Sequence, residues 1–396
     1  MSRGGVKILE QIDAEAIARD TLDFVSVKSE TGQEGEGSRF LADLLRREGF
    51  QVTDDEVEPG RSNIYVRIPG RNASSARALL FNGHTDTIPI GQCHQPKREG
   101  DFILGRGTED MKGGLVAMVH AASALRKAGV ELDGDLWLTG VIGHETPIGK
   151  KEGPKRLIQM LDSGDIAADA IVIVEGPCAI WAASLGSTIF TVTISTDRGP
   201  IHTIKTRFCE NPAYWAGKLL VEFQRLEDGY AAQPAHPLCG RQQLNVGMLH
   251  GGDYFNRLPV AVAVTGTRRW TPGTDLSDVR EEFAALCGEL ERASGLSFRV
   301  DFEEFREPFE TAADDAVIQS LQTACRETVQ RDADIVGMGL VGDANLYAND
   351  GGTTTVYYGP AHETAHSDHE RVSISQLAHC ARVYALTALD FCGPTS

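Results

Sequence analysis

The chain has 396 residues, 41% of them hydrophobic, enough for a large core and better matched to two domains than to one. A formal net charge of −18 sets the surface against nucleic acid and anionic membranes, so neither is expected as a partner. No run reaches the ~18 apolar residues of a membrane span. The opening MSRGGVKILEQIDAE has no apolar h-region, and the eight cysteines are scattered without a C-x-x-C pair. The expected setting is cytoplasmic, with free thiols.

Taken in order, 8–25 has helical periodicity, 30–37 is a polar, glycine-rich loop, and 40–45 belongs to a second amphipathic helix stopped by Gly49. Strands are expected near 50–56, 63–68 and 78–82, then a helix over 111–127, a strand over 135–143, a helix over 155–163 and a strand over 170–174. This alternation predicts a layered α/β domain with a largely parallel sheet. The pattern changes near Gly186. Strand 188–196, helix 213–226, strands 242–248 and 261–269, helix 276–293 and strand 296–302 follow the ferredoxin-like order, which predicts an inserted α+β domain over 187–304. From 305 the α/β pattern returns, with helix 315–330, a strand near 353–358 and helix 374–390. The larger domain is thus 1–186 with 305–396.

Chemistry gathers at strand ends. The run FNGHTDTIPI places His84 and Asp86 just past an apolar strand, and GRGTEDMKGG places Asp110 at a helix entrance. His144 and Glu145 end the next strand, Glu175 the one after, and AHETAHSDHERV near the C-terminus holds three histidines, His362, His366 and His369. Parallel strands bring these ends to one edge of the sheet, where ligands bind in open α/β folds. A lone buried acid is commonly a helix cap. Several converging acids without a compensating Lys or Arg repel one another unless a cation holds them, so a metal site is expected.

The segments VSVKSETGQEGEG, FNGHTDTIP, GRGTEDMKGG, VIGHET, IVIVEGP, GPIHT, GGDYFNRLP, RRWTPG and GPAHETAHSDHERV together resemble the M20 metallopeptidases, over essentially the whole chain. That family includes aminoacylase, acetylornithine deacetylase, succinyl-diaminopimelate desuccinylase and glutamate carboxypeptidase. The resemblance implies a phosphorylase/hydrolase-like catalytic domain, with a mixed, largely parallel sheet flanked by helices, and an inserted lid that dimerises. It implies one or two divalent ions per subunit, Zn, Mn or Co. His84, Asp110 and Glu175 would hold one ion, and Asp110, Glu145 and His366 the other, with Asp110 bridging. Asp86 would orient His84. His202 in GPIHT would stabilise oxyanion charge in the neighbouring subunit's site. Asn256, Arg269 and Gly342 would lie near the substrate, with Arg269 able to bind a carboxylate.

The chain departs from the family where two consecutive acids are usual. Aligned without gaps, His144 stands at the general-base position and Glu145 at the ligand position, with Gly143 where another acid is usual. Imidazole can take that proton. A shifted alignment makes Glu145 the base and Thr146 a non-ligand. After His202, Thr203-Ile204-Lys205 also depart from the usual small residues and proline. His94, His120, His236, His250 and His379 sit in no motif and are read as structural. The expected function is hydrolysis of a C–N bond in a small, carboxylate-bearing N-acyl amino acid or short peptide. Hydrolytic deamination or decarbamoylation of a non-peptide, including an aromatic amine, is the alternative, and a non-catalytic binding protein is the third.

Overall fold

The computed structural model describes residues 3–145 and 147–393. Thr146 therefore lies outside the described residues. The chain forms two compact units. One comprises the described residues up to Ala182, Thr311–Val336 and those from Leu346; the other is Ala183–Glu310 with Gly337–Asn345. The sequence pattern set the insert at 187–304, without the short return over 337–345.

The first unit is a mixed sheet flanked by helices, as expected. Six strands of its sheet run in the spatial order Thr53–Glu58, Arg61–Ile68, Leu136–Val141, Leu79–His84, Ala170–Ile173, Thr354–Tyr357. The last four are mutually parallel and the first two antiparallel. Leu79–His84 and Ala170–Ile173 are buried along their whole length, which explains their unbroken apolar runs. All four parallel strands deliver their C-terminal ends to one edge. A small three-stranded sheet of Lys97–Glu99, Phe102–Leu104 and Arg371–Ser373 has too few residues per strand to show a period.

Two helices differ instructively from the sequence reading. The periodicity over 8–25 is not one helix but two, Arg3–Leu9 and Ala14–Ser26. Asp13 makes the break, because its carboxylate accepts the N–H groups of Glu15 and Ala16 and so starts a new helix. The helix expected over 111–127 begins at Gly113, after a turn over Thr108–Lys112 in which Asp110 has φ −126° and ψ 88°. Gly114 must be glycine: a Cβ there would lie 1.8 Å from the Val174 carbonyl oxygen. The motif's glycines thus let helix Gly113–Lys127 press against the exit of strand Ala170–Ile173. That helix is buried through Leu125 and packs against Ala14–Ser26 and Ile374–Phe391.

The second unit is strand Gly186–Ser195, helix Pro212–Ala232, strands Gln243–Gly251 and Ala261–Trp270, helix Leu276–Ser294 and strand Ser297–Arg306. With its strands numbered one to four in chain order, the antiparallel sheet runs two-three-one-four. Its core includes Phe190, Val192, Phe223, Val264, Trp270 and Phe283. No helix among the described residues is long and apolar enough to cross a membrane.

Candidate metal centre

Five side chains from five segments meet at the C-terminal edge of the parallel strands. His84 closes its strand, Asp110 comes from the turn before helix Gly113–Lys127, and Glu145 and Glu175 follow Leu136–Val141 and Ala170–Ile173. His366 arrives from the segment after Thr354–Tyr357, at φ 63°. His84, Asp110 and Glu175 each offer a ligand atom within 4.8 Å of the others, and so do Asp110, Glu145 and His366. Asp110 is common to both groups. His84 Nε2 lies 2.9 Å from Asp110 Oδ1, while His366 Nε2 lies 3.0 Å from both Asp110 Oδ2 and Glu145 Oε1. The two carboxylate oxygens of Asp110 therefore face different imidazoles. His84, Asp110, Glu145 and Glu175 are each at most 9% exposed.

The donor set fits divalent cations. Imidazole nitrogens and carboxylate oxygens converge in a buried volume, and the carboxylates' partners here are imidazoles. Burial opposes charge on His84, but Asp110 and Asp86 outweigh it and hold the ring well above the ordinary imidazole value. Hydrogen bonds to Asp110 and Glu145 push His366 up to about 10. Both shifts arise from the carboxylates around these rings, whose negative charge a cation would neutralise.

Around this set the chain builds a rigid frame. His84 Nδ1 is 2.8 Å from the Asp86 backbone oxygen and 3.5 Å from the Asp86 carboxylate, so the carbonyl is the nearer partner. The Asp86 carboxylate itself accepts from the N–H groups of His144 (3.1 Å) and Glu145 (2.9 Å) and from Thr31 Oγ1 (2.9 Å). It thus locks the 144–145 segment to the end of strand Leu79–His84. Burial raises the Asp86 pKa, yet His84 and these donors hold it far below the usual carboxylate range.

His144 stacks on His84, with ring centroids 4.0 Å apart and planes 3° from parallel. Its Nδ1 lies 3.1 Å from Lys151 Nζ. His84, His144 and Glu145 form a third set of close donor atoms. Gly143, at φ 68°, holds a left-handed backbone that disfavours the acid usual in the family, and a Cβ there, 2.3 Å from Glu152 Oε2, would make the Glu152 side chain shift. Negative charge reaches this turn from elsewhere. The buried Glu34 carboxylate accepts the Gly143 N–H (3.1 Å) and is clamped by Arg61.

Several supporting residues lie near the expected ligands but received no assignment from the sequence. Glu370 is fully buried and takes the N–H groups of Gly107, Glu109 and Asp110 on Oε1, with Arg106 on Oε2. It shapes the turn that presents Asp110, from 260 residues away in the chain. His362 Nε2 sits 3.4 Å from Glu175 Oε1 and meets Trp181 edge-on. Burial lowers the His362 pKa, but Glu175 raises it further and leaves it above the ordinary value. His369 instead pairs with His94 at 3.3 Å.

The remaining expected residues lie in the second unit. Asn256 Nδ2 and His202 Nε2 are 3.2 Å apart, and the two segments meet in an isolated bridge between His202 and Arg257. Arg269 Nη1 donates to the Gly339 carbonyl at 3.0 Å, and the Gly342 N–H donates to Asn345 Oδ1 at 2.9 Å.

Comparisons with known proteins follow the same lines. The family model "Peptidase family M20/M25/M40" matches residues 80–390. An N-formyl-4-amino-5-aminomethyl-2-methylpyrimidine deformylase of Bacillus subtilis is 24% identical over 380 residues, covering 89% of this chain and 88% of the relative. Among solved structures, the aminopeptidase PepT of Bacillus cereus superimposes with a TM-score of 0.78 at 20% identity, over 96% of this chain and 99% of the other. The YXEP protein of Bacillus subtilis, described as a dinuclear metal binding peptidase from the M20 family, gives 0.73 at 14% identity, over 95% and 97%. These likenesses establish the fold, and the family model spans well over half the chain. The protein belongs to peptidase family M20/M25/M40 and is an enzyme that hydrolyses C–N bonds.

Proposed function

We propose that the protein is a metal-dependent hydrolase that cleaves an amide bond in a small, carboxylate-bearing substrate, an N-acyl amino acid or a short peptide. The observation that carries this reading is the shared Asp110, whose two oxygens face two separate ligand groups. We assign His84, Asp110 and Glu175 to one ion, and Asp110, Glu145 and His366 to the other, with Zn, Mn or Co as the metal. Such ions activate water and polarise the scissile carbonyl. Asp86 holds the 144–145 segment in place. His144 and Glu145 are the two candidates at this strand end for accepting the water's proton and passing it to the leaving nitrogen. His202 is assigned to the oxyanion of a neighbouring subunit's site, and Asn256, Arg269 and Gly342 to the substrate, with Arg269 on its carboxylate.

That role requires a homodimer, which we place at the second unit. Strand Gln243–Gly251 is an edge strand of its sheet, and Met248 (51%) and Leu249 (50%) are exposed on it. The test is hydrolysis of N-acetyl amino acids, N-formyl amines and short peptides by chelated enzyme reloaded with each metal. Activity that needs no metal refutes the proposal.

A second reading, hydrolytic deamination or decarbamoylation of a non-peptide substrate, is favoured by one observation. The position usual for an acid holds His144, stacked on His84 and bound by Lys151. The deformylase relative is named for a pyrimidine, a non-peptide, although the bond its name describes is an N-formyl amide. Ammonia release from an aromatic amine with no amide would select this reading.

A further inference from the structure

A cavity of about 410 Å³ in the first unit is lined by the end of helix Ala14–Ser26, the segment after strand Leu79–His84 and residues of the turn that carries Asp110. None of the five proposed metal ligands lines it. Its volume suits a small organic molecule rather than a lone ion. The charged residues of its lining are Lys28, Arg106 and Lys112 against the single carboxylate of Glu30. That cationic excess stands in a chain whose net charge is −18. Val27, Ile90 and Pro96 add apolar wall.

The protein itself leaves these cations under-used. Arg106 is 6% exposed, and its Nη1 meets Glu370 at 2.5 Å. Its Nε is buried with no hydrogen-bond partner, and its Nη2 donates to nothing among the described residues. Buried N–H groups without acceptors are rare in folded proteins. The two nitrogens form the side-on edge of the guanidinium, the pair that grips an oxyanion through two parallel bonds. Lys112 is 1% exposed, and its Nζ donates only to the carbonyls of Val27 (2.7 Å) and Phe24 (3.4 Å). Lys28 is exposed. Glu30, the one acid, accepts the Ile90 N–H at 2.8 Å.

We propose that this cavity is a binding site for a small organic phosphate, a phosphate monoester with an apolar body. Two phosphate oxygens take the side-on edge of Arg106, whose Nη1 stays with Glu370, and a third takes the Lys112 ammonium. Lys28 adds its charge from the solvent side. At neutral pH such a phosphate carries close to two negative charges, matching the excess of two cations over carboxylates in the lining. A carboxylate has one charge and two oxygens, and leaves one of the buried cations unmatched. The apolar body lies against Val27, Ile90 and Pro96.

The test is calorimetric titration of the full chain at neutral pH with phenyl phosphate, inorganic phosphate and benzoate, before and after chelation of metal. Phenyl phosphate should bind in both states, and the other two should bind roughly tenfold or more weakly. Its presence should slow amide exchange over 25–30 and 87–96. Lys28→Glu combined with Gln95→Glu changes two exposed lining residues and turns the cationic excess into an excess of one carboxylate, so affinity should fall roughly tenfold or more. Arg106→Lys keeps the charge beside Glu370 but removes the side-on edge, and should weaken binding by a similar factor. If Arg106→Lys does not fold, the exposed pair decides. Phenyl phosphate binding that disappears on chelation places the phosphate on the metals and overturns the proposal. Benzoate or inorganic phosphate binding as tightly, unchanged affinity in the exposed pair, or protection confined to other segments would each overturn it as well.

Discussion

Replacing Glu370 should unsettle both the fold and the metal centre, although it is no ligand. Its carboxylate is fully buried and opposes Arg106, which is 5% exposed on its side chain, at 2.5 Å. Three backbone N–H groups, of Gly107, Glu109 and Asp110, share its other oxygen at 2.9–3.2 Å. Glu370→Ala leaves a buried guanidinium without its partner, a change that costs about 3–5 kcal/mol. With a urea slope of about 3 kcal/mol/M, the midpoint should drop by about 1–1.7 M. The assay belongs at pH 8 on metal-free enzyme, because burial and Asp110 push Glu370 up to about 7 and the carboxylate must be ionised. The freed N–H groups also release the turn that presents Asp110, so metal affinity should fall by about 10–100-fold, as for other residues that orient ligands. A midpoint within about 0.3 M of the parent, on the same slope, would refute the buried-pair argument. Unchanged metal affinity would refute the role of the turn.

Further outcomes follow from the same geometry. Glu145→Ala should lose one of two bound ions, measured by metal content, whereas His144→Ala should keep both and lose about 10²–10⁴-fold in turnover if it is the base. Lys151→Met frees the edge of the His144 ring and should reduce turnover by roughly 10–100-fold without changing metal content. Asp20 is buried between His120 Nε2 (2.8 Å) and Arg47 Nη2 (2.6 Å). Burial raises its pKa, but those two partners outweigh it and hold it below the ordinary carboxylate value. Its stabilisation is therefore complete above that ordinary value and lost as pH falls through the lowered one. Asp20→Asn should cost about 1.5–3 kcal/mol at pH 7, and progressively less as pH falls below the ordinary carboxylate value, read from urea midpoints. Leu249→Asp, on the exposed edge strand, should yield monomers in sedimentation if that strand joins two subunits.

The sequence disclosed the parts of this centre that sit at strand ends. His84, Glu145 and Glu175 follow apolar runs, and the parallel pairing that unites those runs follows from their burial on both faces. Asp110 was legible from a glycine-rich run at a helix entrance, and the structure gives the reason for one of those glycines, Gly114 against the Val174 carbonyl oxygen. Glu34, Lys151 and Glu370 were not legible. Each enters through a loop: Glu34 and Glu370 lie 109 and 260 residues from the groups they support, and Lys151, only seven residues from His144, lies in an irregular segment that has no period to place it. Asp13 was misread for a related reason: the apolar period continues through it, and only its side-chain bonds show that a new helix begins.

The most direct test is metal content per chain for the parent and for Asp110→Asn, by inductively coupled plasma mass spectrometry after reloading. The bridging assignment predicts two ions in the parent and loss of both, with loss of C–N hydrolysis, from this single substitution. One ion retained by Asp110→Asn, or full hydrolysis without metal, would contradict it.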